Sequence, residues 1–506
     1  MSPSAISELV QDEQGNITVP TKTMHVSNGH ENGAATSNGH STERVTSNGS
    51  KKMEYLLDRH LHKTFPIVTG GKGNDLYLAD GRTVFDATSG AAVSCLGHDN
   101  KRVIDAITRQ INTGTPYVCS SFFNCAIVDE LCKELINGTG GKMGRVFLIG
   151  SGSEAMEATV KLARQYYYEN DKQSPRINFI AREHSYHGNT IGALGISGHV
   201  ARRAPYEPFL MENVHRVSAC NAYRQRKDGE SDASFVARKA AELEAKFQEL
   251  GPETVIGFIC EPVVGAALGC VPSVPGYLRA MRDVCHKHGA LFILDEVMCG
   301  MGRSGTLHAW QEAEGDVVPD LQTMGKGLGA GYQPVAAVLI SKKVIGALLN
   351  GSGQFVHGHT YQAMPVQAAA ALEVQKTIRE QNLVQNVKTQ GEYLEKRLKA
   401  VLGDHPNVGD IRGRGLFWGL EFVKDKRTKE PFDPKLGIAQ KLGTTAISAP
   451  YNMTMYPGTG TADGYVGDHI ILAPTYIVTK DEIDHIVKVT ANVVNEVFQN
   501  LDLESI

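Results

Sequence analysis

The residues best suited to chemistry lie in one stretch, from 291 to 331. It opens with an apolar run that ends in Asp295-Glu296 and closes with Lys326, which has a glycine on each side. Glycine neighbours allow unusual backbone conformations and remove side-chain bulk, so the lysine amine can reach a carbonyl carbon and form a Schiff base. A carboxylate that keeps a pyridine nitrogen protonated would make the ring an electron sink for a carbanion. Asp295 is placed for that task.

Two glycine motifs in the same stretch could also indicate a nucleotide site. The motif GMGRSG at 300–305 matches the dinucleotide pattern, but Asp295-Glu296 would put two negative charges beside a pyrophosphate, and no amphipathic helix follows. The motif at 325–327 has glycine where a P-loop needs the serine or threonine that holds magnesium, and Asp320 stands where the first glycine belongs. The sequence therefore argues against ATP and also disfavours a dinucleotide such as NAD, which stays open as an alternative.

A candidate anion site follows the strand-like run 145–149. The residues Gly150-Ser-Gly152-Ser153 come where a helix begins, and free backbone N–H groups at the positive end of a helix dipole favour a phosphate. Taken alone, the motif is better explained as an ordinary serine-capped helix with Glu154 in its first turn.

The elements that would position these residues alternate along the chain. Apolar runs at 177–180, 255–260 and 290–294 are separated by helical patterns at 234–250 and 275–288. This alternation indicates a mostly parallel sheet, whose chemistry gathers at the carboxyl ends of the strands. The residues found there are Tyr186-His187-Gly188, Glu261-Pro262, Asp295-Glu296 and Gly325-Lys326-Gly327.

Composition restricts the class of protein. The 506 residues are 42% hydrophobic, which is enough for at least two packed units. The net charge is -4 and no basic block occurs, which argues against nucleic-acid and membrane partners. The nine cysteines show no CxxC pair, and neither a signal peptide nor a membrane-spanning run is visible. We expect a cytoplasmic protein with reduced thiols and no metal site.

Residues 53 to 500 resemble the class III aminotransferases, which use pyridoxal 5′-phosphate (PLP). The motifs that carry the resemblance are SGSEAMEAT, SYHG, CEPVVGA, DEVMCGMGRSG, TMGKGLGAGYQPVAAV, GHTYQAMPVQAAAAL and IRGRGLFWGLEF. The resemblance implies an α/β fold, the PLP-dependent transferase fold type I. A large domain with a mostly parallel seven-stranded sheet between helices would be joined by a small α+β domain built from both chain ends.

The expected domain organisation has four segments. Residues 1–50, rich in Ser, Asn and Gly, are predicted to be a disordered tail. Residues 51–100 would form the N-terminal segment of the small domain, 101–376 the large PLP-binding domain, and 377–506 the C-terminal small domain.

The resemblance also implies roles for single residues. Lys326 would hold PLP as a Schiff base and, once released, move a proton between the substrate α-carbon and the cofactor. Asp295 would hold the pyridine nitrogen. Tyr186 would stack on one face of the ring, and Val297 would lie against the other. For Tyr186 and Val297, ordinary core or loop packing is the alternative.

The phosphate of PLP would be bound by backbone groups of Gly152 and Ser153. Thr360 would reach the phosphate held by the neighbouring subunit, which implies an obligate homodimer with shared active sites. Ordinary loop packing is the alternative for these three residues as well.

Arg412 and Glu261 are the predicted substrate-binding residues. Arg412 would bind the carboxylate of an amino or keto acid, a task suited to its planar fork. In the ornithine and 4-aminobutyrate branches a glutamate shields this arginine, but here Ala266 stands at that place. Met298 replaces a common glutamine, and DEVMCGMGRSG is closest to the ω-amine:pyruvate branch, in which the arginine swings aside for uncharged amines.

These features predict a transaminase that moves an amino group from an amine or ω-amino compound to an α-keto acid such as pyruvate, in ping-pong half-reactions. Small Ala91-Ala92 suggest a roomy pocket, while Ala363 and Thr475 depart from the pattern without touching the chemistry. The alternatives are a racemase, decarboxylase or lyase on the same scaffold, a catalytically silent binding protein, and an NAD-dependent dehydrogenase.

Overall fold

The computed structural model describes residues 55–312 and 317–501, and this part of the chain has a small antiparallel sheet near its start. Its strands are β1 (Val68–Lys72), β2 (Asp75–Leu78) and β3 (Thr83–Phe85). The sequence alternation at 75–86 predicts the β2–β3 hairpin, and Asp75 does lie opposite Phe85 in an antiparallel pair. The predicted tail, residues 1–50, lies outside the described residues.

A seven-stranded sheet forms the centre of the molecule. Its strands are β4 (Met143–Ile149), β5 (Asn178–Arg182), β6 (Val214–Val217), β7 (Val255–Cys260), β8 (Leu291–Asp295), β9 (Leu321–Met324) and β10 (Ala336–Ser341). The strand order is β6-β5-β7-β8-β9-β10-β4, and β10 pairs antiparallel with both of its neighbours. The other pairs are parallel, which confirms the predicted mostly parallel sheet of seven strands.

Helices cover both faces of this sheet. Alternate residues of a strand point to opposite sides, so the central strands bury apolar side chains against helices on each face. Ile293 packs in a core with Leu162 of the helix Gly152–Asn170. Its neighbour Phe292 packs on the other side, with Phe247 of the helix Asp232–Leu250. All residues of β7 and β8 are buried, as expected for central strands that are covered twice.

Two of the remaining long helices begin at side chains that cap them. Asn100 caps the helix Lys101–Asn112 by accepting from the Val103 N–H, and Thr479 and Glu482 form a reciprocal capping box at Lys480–Gln499. The other helices of nine or more residues are Ala126–Gly138, Tyr277–Lys287, Lys342–Asn350, Pro365–Glu380, Leu383–Leu402 and Ile438–Ile447.

The C-terminal part carries a four-stranded antiparallel sheet. It contains β11 (Val408–Arg414), β12 (Phe417–Phe422), β13 (Tyr456–Thr459) and β14 (Asp468–Leu472), in the order β11-β12-β14-β13. The two chain ends meet here, because Phe85 forms a bridge to Met453 and the Ala473 N–H donates to Ala87 O. This agrees with the expected small α+β part built from both ends of the chain.

The described residues from 55 to 501 belong to one compact unit, and the boundaries expected at 100 and 376 stay predictions. Among the residues that the structure describes, no helix has the length and apolar character needed to cross a membrane.

Candidate active site

A cavity of about 470 Å³ opens at the carboxyl ends of the central strands. Seven of the nine residues predicted to form the site line it: Gly152, Ser153, Tyr186, Glu261, Asp295, Val297 and Lys326. They come from loops after β4, β5, β7, β8 and β9. Parallel strands bring these loops to one edge of the sheet, which is the physical reason that residues distant in sequence share one cavity.

Lys326 lies in a strained turn directly after β9. Its φ of 44° falls in the left-handed region, which is uncommon for a residue other than glycine. The turn is fixed from behind by Gln375, whose Nε2 donates to Gly327 O at 3.1 Å and to Leu328 O at 3.0 Å. Burial lowers the pKa of the Lys326 amine, while the carboxylates of Asp295 and Glu261 oppose this effect. The amine is therefore neutral at lower pH than a lysine in water.

Asp295 is buried at the end of β8 and held by three donors. Its Oδ1 accepts from the Val297 N–H at 3.0 Å and from Thr323 Oγ1 at 2.9 Å. Its Oδ2 lies 2.7 Å from His187 Nδ1, a geometry in which that nitrogen donates to the carboxylate. The Nε2 of His187 is buried and has no partner among the described residues. These contacts fix the orientation of the Asp295 carboxylate at the cavity wall.

The glycine-rich start of the helix Gly152–Asn170 forms another wall. Ser151 caps the helix by accepting from the Glu154 N–H. A Cβ on Gly152 would lie 2.7 Å from Val297 Cγ1, so only glycine fits this close approach. Ser153 Oγ donates to Asn189 Oδ1 at 2.8 Å and accepts from the Asn189 N–H at 3.1 Å. The free N–H groups and the helix dipole make this wall suitable for an anion.

Tyr186 and Glu261 connect two of the cavity loops. The Tyr186 N–H donates to Glu261 Oε1 at 3.1 Å, and the Gly265 N–H donates to Glu261 Oε2 at 3.0 Å. Burial raises the pKa of Glu261. The guanidinium of Arg202 lies 4.4 Å from the centroid of the Tyr186 ring. Both oxygens of Glu261 thus bind loop backbone, and its predicted contact with the substrate stays a prediction.

Comparison with known families identifies the class of enzyme. The family model described as aminotransferase class-III matches residues 56–494. The chain belongs to the class III aminotransferases. The prediction from its motifs is confirmed, and with it the prediction of an enzyme that performs transamination; the alternative of an NAD-dependent dehydrogenase is wrong.

Individual relatives agree with this assignment. An aminotransferase of Gibberella zeae is 53% identical over 83% of this chain and 82% of its own length. An aminotransferase of Schizosaccharomyces pombe is 44% identical over 87% of this chain and 94% of its own length. Among solved structures, the omega transaminase from Pseudomonas jessenii in complex with PMP is 31% identical, with a TM-score of 0.80, over 86% of this chain and 93% of that one.

Two predicted site residues of this aminotransferase lie away from the cavity wall. Thr360 is exposed on the segment before the helix Pro365–Glu380. Arg412, on β11, is buried with its guanidinium bound to other protein groups, and it borders a different cavity. The structure of the single chain therefore does not bring Thr360 or Arg412 together with Lys326, and their assigned roles stay predictions.

Other residues join the site without having been assigned a role from the sequence. His187 lies in a motif that the sequence does single out, but its pairing with Asp295 spans 108 positions. Thr323 faces Asp295 because the register of β8 with β9 places the two residues opposite each other. Asn189 lines the cavity next to Ser153. The sequence signals that point towards these contacts are the position of His187 after a predicted strand and the apolar residues around Thr323, and neither signal identifies the partner.

Proposed function

We propose that this aminotransferase uses PLP to move an amino group from an amine or ω-amino compound to an α-keto acid such as pyruvate, in two ping-pong half-reactions. The observation that carries the proposal is the shared cavity of Lys326, Asp295 and the start of the helix at Gly152. One cavity thus offers an amine, a fixed carboxylate and an anion-binding helix end, the three groups that an aldehyde, a ring nitrogen and a phosphate require.

The residues fit PLP at each end of the molecule. Backbone groups of Gly152 and Ser153 would hold the phosphate, and Asp295 would hold the pyridine nitrogen. Tyr186 and Val297 would lie against the ring. When bound, PLP supplies an aldehyde carbon for amines and a ring that accepts electrons from the substrate α-carbon.

Lys326 would move the proton in each half-reaction. Its Nζ must be neutral to accept a proton from the substrate α-carbon, and the lowered pKa that follows from burial supports that state. The strained turn and the Gln375 hydrogen bonds limit where the amine can go. His187 and Thr323 act indirectly, because they keep the Asp295 carboxylate in one orientation.

The choice of an amine donor is supported by two apolar residues that line the cavity. Ala266 and Met298 both line the cavity. Because residue 266 is an alanine, it contributes a methyl group and no carboxylate to the cavity wall. Met298 packs close to Gly265, where a Cβ would lie within 2.4 Å of its Sδ. A donor without charge would meet apolar atoms there.

An obligate homodimer with shared active sites is part of the proposal. Thr360 is exposed in the single chain, and so are its neighbour Tyr361, at 56%, and Tyr117, at 40%. Tyr117 and Tyr361 are in ring contact, with centroids 6.2 Å apart. Exposed aromatic residues on this scale are typical of an interaction surface. The location is proposed to be cytoplasmic, which the nine unpaired cysteines support.

The proposal is tested by incubating the purified protein, loaded with PLP, with a panel of amines and pyruvate. We expect alanine to form together with the aldehyde or ketone of the donor. If no amine in a broad panel yields alanine, the proposed transamination is wrong. Racemised donor or released carbon dioxide without alanine would instead favour a racemase or a decarboxylase.

A further inference from the structure

Arg412, Glu421 and Arg224 form a buried cluster beside the site. Arg412 Nη1 lies 2.5 Å from Glu421 Oε2, and Arg224 Nε donates to Glu421 Oε1 at 2.6 Å. Glu421 lies on β12 with its side chain fully buried, whereas Arg224 comes from the short helix Ala222–Gln225. One buried carboxylate is thus shared by two guanidinium groups.

Each nitrogen of the Arg412 guanidinium already contacts a protein oxygen. Its Nε donates to Gly269 O at 2.9 Å, its Nη2 donates to Leu268 O, and its Nη1 also contacts Asp410 Oδ2 at 3.0 Å. A bidentate bond to a substrate carboxylate needs two of these nitrogens. Arg412 must therefore leave this position before it can bind an acid.

Arg412 contacts a loop that also lines the active-site cavity. Leu268 and Gly269 belong to the same loop as Ala266, which lines the cavity. Arg412 and Asp410 also border a second cavity of about 440 Å³. Open space beside Arg412 gives its side chain some room to move without repacking of the whole surrounding core.

Glu421 determines what the departure of Arg412 would cost. A buried carboxylate without a counter-charge is strongly unfavourable. Burial raises the pKa of Glu421, but the guanidinium groups of Arg412 and Arg224 outweigh this and lower it, so Glu421 is ionised. When Arg412 leaves, Arg224 still neutralises Glu421. Without Arg224, the same movement would leave the carboxylate unpaired.

We propose that Glu421 and Arg224 form a docking site that holds Arg412 when the substrate has no carboxylate, and that Arg224 sets how readily Arg412 leaves to bind a keto acid. This rests on the proposed function, in particular on Arg412 as the residue that binds the substrate carboxylate. Glu421 and Arg224 are positioning residues, because they act through Arg412. They would replace the shielding glutamate that is absent at Ala266.

The experiment compares two acceptors in the same half-reaction, pyruvate and propanal, which are both three-carbon carbonyl compounds but of which only pyruvate carries a carboxylate. In Arg224→Gln, Glu421 can be neutralised only by Arg412, so Arg412 is held more firmly. We expect the KM for pyruvate to rise about tenfold, because the binding-competent arginine is less populated, while kcat and the KM for propanal stay unchanged. Arg224→Lys keeps one charge and should restore most of the affinity for pyruvate.

A second variant, Glu421→Gln, should change the KM for pyruvate in the opposite direction. Glu421→Gln removes the charge that holds Arg412, so we expect the KM for pyruvate to fall and the KM for propanal to rise, since the released guanidinium occupies the apolar part of the cavity. Thermal unfolding of each variant checks its folding. If Glu421→Gln does not fold, the Arg224 variants still decide the question.

Arg226→Gln is the matched control, because Arg226 lies two residues from Arg224 and pairs with Asp232 instead of Glu421. It should change neither KM. If Arg224→Gln leaves the KM for pyruvate unchanged, or raises both KM values alike, the docking site is wrong although the enzyme is a transaminase. If the wild type aminates neither pyruvate nor any other keto acid, the proposed function itself fails.

Discussion

Two regions of this aminotransferase differ in how their charged residues are held. Around Lys326, the carboxylate of Asp295 is fixed by Val297, Thr323 and His187, all within 3.0 Å of its oxygens. Around Arg412, the guanidinium is bound by Glu421 and by backbone carbonyls, away from the cavity. Under the proposed function, the first region would bind the cofactor without rearranging. The second would have to rearrange before Arg412 could bind a substrate.

We interpret this difference as a division of tasks, in which the Lys326 region serves the chemical steps and the Arg412 region serves the choice of substrate. Groups that act on every substrate gain from being held in one geometry, because positioning lowers the barrier of each turnover. A group that has to bind a carboxylate in one half-reaction and make room for an amine in the other gains from two positions of similar free energy. Variants in the two regions should therefore fail in different ways.

The largest effect is expected from Lys326→Ala. Without the amine, no group is placed to move the proton, so kcat should fall by at least about 10⁴-fold for all substrates alike. The rate of alanine formation and the visible absorbance of the PLP-loaded protein both measure this. Substantial remaining turnover would mean that another base does the work.

Asp295→Asn should have the next largest effect. The amide cannot keep a ring nitrogen protonated, and it disturbs the pairing with His187, so kcat should fall by about 10³-fold. The loss should be the same for pyruvate and propanal as acceptors. A loss restricted to pyruvate would contradict the division between the two regions.

Arg412→Ala tests the second region. We expect kcat/KM for pyruvate to fall by about 100-fold, because a charge-assisted bidentate contact is lost, and that for propanal to remain within about twofold. The two acceptors, measured at equal enzyme concentration, provide the comparison. Unchanged activity with pyruvate would show that Arg412 does not bind the carboxylate.

Gly152→Ala should have the smallest effect, on stability. The new Cβ would lie 2.7 Å from Val297 Cγ1, so we expect the cofactor-free protein to lose about 1–3 kcal/mol in denaturant unfolding. Gly346→Ala is the control, since its Cβ would meet nothing within 4 Å in the helix Lys342–Asn350 and should stabilise by about 0.5–1 kcal/mol. Equal changes at both glycines would argue against a tight approach at Gly152.

Much of the first region could be predicted from the sequence. The apolar run before Asp295 and the glycines around Lys326 are local patterns, and the serine cap before Gly152 is local too. Each residue follows a strand, and parallel strands must end at the same edge. Strands β6 and β10 were not visible as separate patterns, because short buried strands have no periodicity of their own.

The sequence by itself determined the family, the sheet and the residues at its carboxyl edge, because those depend on short patterns that repeat the geometry of strands and helices. Only the tertiary structure decided that His187 and Thr323 hold Asp295, and that Glu421 and Arg224 bind the guanidinium of Arg412. Arg224 and Glu421 lie 197 positions apart in the chain. Contacts of this kind depend on strand register and on which side chain lies closest in space, and no local pattern contains that information.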